Sequence, residues 1–186
     1  MRRMMDRLFG FWRDRRGAIA VEFAVTAPVL VAMMVGTFEV TRYVLLHQKL
    51  DRMAVAASDL VAQGETINNA QLADIFTATG LIAEPFAIGP DGVVIISSVY
   101  RTAGVPKIVW QRFGTGALSA TSRLGAENAV PVLPAGFTLR DGESVIFAEV
   151  YYQFRPMFAP DLVPASTLYH RAIFRPRRGT LETILP

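Results

Sequence analysis

The sequence predicts an α+β protein in which a long N-terminal membrane-spanning helix packs on a small antiparallel β-sheet. Three observations lead there. Ala18 to Phe38 is a mostly apolar run with a single charged residue, Glu22. Tyr43, Leu46, Leu50, Met53, Ala57 and Leu60 then step at the spacing of one helix face. Past Gly80 the apolar residues become β-branched and the breaks between runs become Gly/Pro turns, which is the pattern of strands.

Composition narrows the function classes. Hydrophobic residues make up 52% of the 186, and mean hydropathy is +0.32. That excess lies near the N-terminus, as an anchor requires. The net charge of +3 is equally local. Arg2, Arg3, Arg7, Arg13, Arg15 and Arg16 precede the apolar run, opposed by Asp6 and Asp14, and Arg175-Pro176-Arg177-Arg178 lies near the C-terminus. These short blocks do not make a nucleic-acid footprint, which needs an extended basic face interleaved with aromatic stacking residues, so no nucleic acid is expected as a partner. With no cysteine, a disulfide framework, thiol catalysis and Cys-type zinc sites are excluded.

Residues 1–17 read as a basic cytoplasmic leader. Residues 18–38 are the transmembrane helix, at 1.5 Å rise per residue roughly 30 Å long, the thickness of one hydrocarbon core. Fewer Lys/Arg residues follow the span (Arg42, Lys49, Arg52) than precede it. The positive-inside rule therefore leaves the leader in the cytoplasm and the C-terminal region outside, with the lipid bilayer as a partner. A cleaved signal peptide fits poorly, because the run is too long, Glu22 interrupts it and no small-x-small site closes it. Pro28 removes one helical hydrogen bond and crowds the carbonyl of Ala24, so a kink or local melting is expected there.

Residues 39–63 continue as an amphipathic extension, the alternative being two helices broken near Glu39, and Gly64 ends it. Residues 64–186 form an extracytoplasmic α+β domain. Asn68 or Asn69 caps a short helix, Ala70 to Thr79, ended by Gly80. After the turn Gly89-Pro90-Asp91-Gly92 come a strand over Val93–Arg101, a hairpin link over 102–106 and a strand over Lys107–Phe113. Residues 114–142, rich in Gly, Ser, Ala and Pro, read as a long loop with room for a helical turn or extra strand. Glu143–Arg155 is the clearest strand, with Ile146, Ala148, Val150, Tyr152 and Phe154 on one face. Val145, Phe147, Glu149, Tyr151 and Gln153 share the other. Leu168–Arg175 is the last strand, followed by a basic tail.

Little in the sequence carries catalysis. His47 and His170 lie far apart, without a second ligand at metal-binding spacing, and read as surface or satisfied histidines. Ser97-Ser98 lies in a strand with no Gly-x-Ser-x-Gly elbow. Gly114-Thr115-Gly116 lacks the rest of a phosphate cradle, and Glu143 with Glu149 has no readable geometry. Trp110 and Tyr151-Tyr152 read as packing residues. No catalytic residue, cofactor or metal is expected, and a membrane-tethered hydrolase has no support.

Glu22 is the exception that asks for a function. A carboxylate in hydrocarbon costs about 3 kcal/mol even on insertion scales, so something positive should meet it. An amine freed by cutting after Gly17 would do so.

The run Arg16-Gly17-Ala18-Ile19-Ala20-Val21-Glu22-Phe23-Ala24, followed by Pro28 and apolar residues to Gly36, resembles the TadE-like (TadE/TadG) pilus assembly proteins of the tight-adherence (Tad, Flp) system. Glu39 to Arg42 fits the acid and arginine that members often place after the apolar run. The resemblance covers roughly residues 15–60. It implies a pilin-like fold and a minor pseudopilin, the substrate of a prepilin peptidase that cuts between Gly17 and Ala18. Glu22, with Phe23 beside it, would pair with the freed amine of Ala18 in its own or a neighbouring subunit. The partners implied are the peptidase, other pseudopilins and inner-membrane pilus machinery. The location implied is the inner membrane, or the base or body of a pilus. Longer proteins with such a segment can remain unprocessed, so an unprocessed single-pass binding or receptor module is the alternative.

Overall fold

The computed structural model describes residues 15–158, 160 and 164–186, and of Arg15 and Arg16 the backbone alone. The leader arginines and Asp6 and Asp14 lie outside the described residues or their described side chains.

Helix α1, Arg15–Gln63, runs for 49 residues through Pro28 and Glu39 without interruption, a length of roughly 70 Å. The break near Glu39 does not occur. Leu46, Leu50, Met53, Ala54, Ala57, Val61 and Ala62 are fully buried, so the stripe that docks the helix runs to its last turn. Leu60, expected on that stripe, is 41% exposed and Tyr43 lies at its margin. Stepping by four from Ala57 follows the helical period more closely than stepping by three over this short stretch. Gly64 ends the helix, its N–H bonding to the Val61 carbonyl at 3.2 Å.

Strand β1 is Ile67–Asn68 and helix α2 is Asn69–Ile82. Asn68 caps α2 through a reciprocal box. Its side chain accepts from the Gln71 N–H at 2.8 Å, and the Gln71 side chain accepts from the Asn68 N–H at 3.1 Å. The helix continues two residues past Gly80, contrary to expectation. Gly80 is needed there for space, since a Cβ would lie 2.9 Å from Thr115 Cγ2.

Strands β2 (Gly92–Thr102), β3 (Val105–Gly114), β4 (Ser144–Phe154) and β5 (Ser166–Phe174) form one antiparallel sheet in the order β3-β2-β4-β5. The β2–β3 hairpin turns on two residues, with Ala103 at φ 49° and Gly104 at φ 80°. Positive φ at both suits the strand twist and makes the turn tighter than the five-residue link expected. The two faces of β4 divide as its alternation requires. Ile146, Ala148, Val150 and Phe154 join Val94, Ile96 and the buried stripe of α1 in the main core.

The opposite face is also covered. The long segment between β3 and β4 folds over it, burying Leu124 and Leu139 against Val99, Val145 and Phe147 and packing Leu118 and Ala120 near Ile95 and Tyr151. It contains no regular helix or strand. It also exchanges backbone hydrogen bonds with the edge of β3, Ile108 N–H to Ala129 at 3.0 Å and Asn128 N–H to Ile108 at 2.8 Å, which shields that edge. Coverage on both faces explains why Val93–Val99 is continuously buried.

The C-terminal residues form more than a basic tail. Strand β6, Ile184–Leu185, pairs in parallel with β1. Leu181 is buried, and its carbonyl accepts from Trp110 Nε1 at 2.7 Å and Ser98 Oγ at 3.0 Å. Arg177 donates its N–H to the Ala62 carbonyl at 2.8 Å and its guanidinium to Asp59 at 2.7 Å.

Candidate functional site: the bare helix and its junction with the domain

The first half of α1 has no cover from the rest of the described protein. Its apolar window has a mean hydropathy of 2.2 with none of it buried by the protein, and it is long and apolar enough to cross a membrane. Ile19, Val21, Phe23, Val25, Val29, Leu30, Val31, Met33 and Met34 are all exposed. A helix apolar on every side needs an apolar surrounding, lipid or other helices.

Gly17, Ala18, Glu22 and Phe23 lie at the start of this bare segment. Gly17 is already helical, and a Cβ there would meet nothing within 4 Å. Ala18 and Glu22 are four residues apart and share one face. Glu22 is exposed and, among the described residues, no side chain pairs with it. Phe23 is 70% exposed. In the intact chain Ala18 carries a peptide N–H, so the amine expected to meet Glu22 would arise only on cleavage.

The junction with the domain is built on Glu39, which is 2% exposed. One carboxylate oxygen accepts the backbone N–H groups of Met157 and Phe158, at 2.7 and 2.8 Å. The other faces Arg42 Nη1 at 3.5 Å. The Phe38 ring meets that of Phe158 edge-on at 5.6 Å between centroids. Arg42 lies about 6 Å above the rings of Phe86 and Phe154, one of which belongs to β4. The acid and arginine at Glu39 and Arg42 thus stand, with Phe38, where the helix first meets the domain.

The histidines depart from expectation. His47 Nδ1 and His170 Nε2 are 2.8 Å apart, because α1 lies across β5 with those positions facing. Asp51 Oδ1 is 3.7 Å from His170 Nδ1. Burial, and then the charge of His170, hold the His47 pKa below its usual 6.5. His47 Nε2 is buried without a partner. No group of three or more potential metal ligands exists among the described residues.

Glu149 is the buried acid that sequence reasoning placed on a face without giving it a role. It accepts from the Arg123 N–H at 3.0 Å, Tyr169 OH at 2.9 Å, Tyr151 OH at 3.3 Å and Ser122 Oγ. Burial and then the Glu149 charge push the Tyr151 pKa up to about 12, and Tyr169 rises for the same two reasons. The network pins the covering loop to the sheet. Glu143 belongs to a different set, accepting the Arg140 N–H at 2.9 Å. Ser97 accepts from Gln111 Nε2, Ser98 holds Leu181, and Gly114 and Gly116 allow close approach to Phe76 and the Gly92 carbonyl. Each has a structural use.

Residues 17–59 match the family model described as TadE-like protein. The match covers the bare helix, the Glu39 junction and most of the docked stripe, and it stops before the end of α1. No curated protein and no solved structure matches the chain.

Proposed function

We propose that this chain is a pilus assembly protein of the tight-adherence type and acts as a minor pseudopilin. The observation that carries the reading is the TadE-like match over residues 17–59, falling on a helix half of which has no protein cover. In this reading the helix sits in the inner membrane with residues 1–17 cytoplasmic and the sheet domain periplasmic, as the arginine asymmetry favours. A prepilin peptidase cuts between Gly17 and Ala18. The chain is that enzyme's substrate and supplies no catalytic residue of its own. The freed amine, with a pKa near 8, is largely charged at neutral pH. It meets Glu22 one helical turn away or on a neighbouring subunit, while Phe23 and the apolar residues around it pack against other pseudopilins.

Cells lacking the chain, complemented with the wild type or with Glu22→Gln, test this. Wild type should restore surface pili. Glu22→Gln should reach the membrane in equal amount yet restore few. Equal restoration would contradict the pairing, and normal pili without the chain would contradict an assembly role.

One observation favours a second reading. Helix α1 passes through Gly17 and Ala18 without a break, whereas a protease needs that bond extended. An unprocessed single-pass protein with an extracytoplasmic binding domain would keep the helix intact.

A further inference from the structure

Glu39 marks the end of the apolar run, and a buried carboxylate at that height asks for a reason. Ala18 to Phe38 spans roughly 30 Å, which fills one hydrocarbon core. Phe38 therefore lies at the boundary between acyl chains and headgroups whenever the helix is in a bilayer. The segment that follows β4 reaches the same level. There Met157 and Phe158 are 64% and 59% exposed, although both follow a strand whose other large apolar side chains are mostly buried. Phe158 lies against Phe38. The backbone explains how they can point outward. Their two N–H groups turn inward and both bond to Glu39 Oε1. A non-helical backbone next to lipid must have its polar groups satisfied by protein, and Glu39 satisfies two at once.

We propose that Met157 and Phe158 form a second membrane contact, seated at the headgroup–acyl boundary beside the exit of α1 and held there by Glu39. The contact fixes the height and tilt of the folded domain over the bilayer. A single helix would leave the domain free to tilt away from the bilayer. Two apolar side chains seated beside that helix oppose tilting that would lift them out. Lipid is the occupant because the patch is continuous with the bare surface of α1, ending at the same level. The inference rests on the helix spanning a membrane and is independent of cleavage or pilus assembly.

The chain has no cysteine, so single labels can be placed without background. Full-length protein carrying Met157→Cys, Val31→Cys or Val132→Cys, each with an environment-sensitive fluorophore, is reconstituted into phosphatidylethanolamine–phosphatidylglycerol vesicles. Quenching is measured with lipids carrying nitroxides at shallow or deep positions and with aqueous iodide. The label at 31 should be quenched by the deep nitroxide and that at 132, exposed on the covering loop, by iodide. The label at 157 should be quenched severalfold more by the shallow nitroxide than the label at 132. Glu39→Ala should lower that quenching while leaving position 31 unchanged. Iodide quenching at 157 equal to that at 132, with 31 still lipid-quenched, would overturn the proposal and leave the span intact. Failure at 31 would overturn both. A label at 157 that is shielded from iodide but insensitive to lipid nitroxides would mean a protein covers the patch, which also overturns it.

Discussion

A charged or half-charged side chain inside a fold must be surrounded by matching groups, and the buried polar residues of this chain differ in how they meet that condition. Glu149 is ringed by donors from the covering loop and β5, and Glu39 by two backbone N–H groups and an arginine. His47 is less well supplied, with one ring nitrogen against His170 and the other unpaired. Its folded pKa is depressed, so below pH 6.5 the unfolded chain binds more protons than the folded one. The stability linked to His47 is present above that value and is lost as pH falls through the lowered folded pKa. The thermal midpoint of the domain, followed by circular dichroism of the full chain in micelles, should drop between pH 7 and pH 5. In His47→Leu the drop should be smaller. An equal drop in both proteins would show that other groups set the acid response.

At the scale of elements, α1 does two kinds of work along one continuous rod. Leu46, Leu50 and Met53 are fully buried, while Val29 and its neighbours are exposed. Leu50→Ala should destabilise the domain by about 2–5 kcal/mol, read from chemical denaturation in micelles. Val29→Ala should leave that stability within about 0.5 kcal/mol of wild type. Similar losses from the two would mean the helix and sheet are coupled through the membrane segment. These elements were legible from local signals: α1 from its apolar run and stripe, β4 from its alternation, and β2 from its β-branched content and the turn before it. The rest lacks a local signal. Leu118, Leu124, Leu133, Phe137 and Leu139 follow no period, so nothing in the 114–142 loop announces that it covers a sheet face. The pairing of β6 with β1 joins segments more than a hundred residues apart through two residues each. His47 and His170 meet through the docking register of α1 on β5, and Glu149 acquires its donors from a segment that reads as loop. Glu22 was visible because a lone acid in an apolar helix is costly, yet the partner proposed for it, the amine of Ala18, would exist only after cleavage.

Across the whole molecule, the layers follow one division. A helix leads from an apolar surrounding to a domain whose sheet is covered on one face by that helix and on the other by the long loop. The domain is held by burial and by the C-terminal strap over Trp110 and Ser98, so the bare half of α1 can bind lipid or other helices without loss of the fold. The central claim is that this half is delivered to its partners by cleavage after Gly17. The most direct measurement is the N-terminal sequence of the protein extracted from membranes of cells with and without their prepilin peptidase. The account predicts a start at Ala18 that depends on the peptidase. A start upstream of Gly17 in both strains would contradict it and favour a permanent anchor whose function lies in the outer domain.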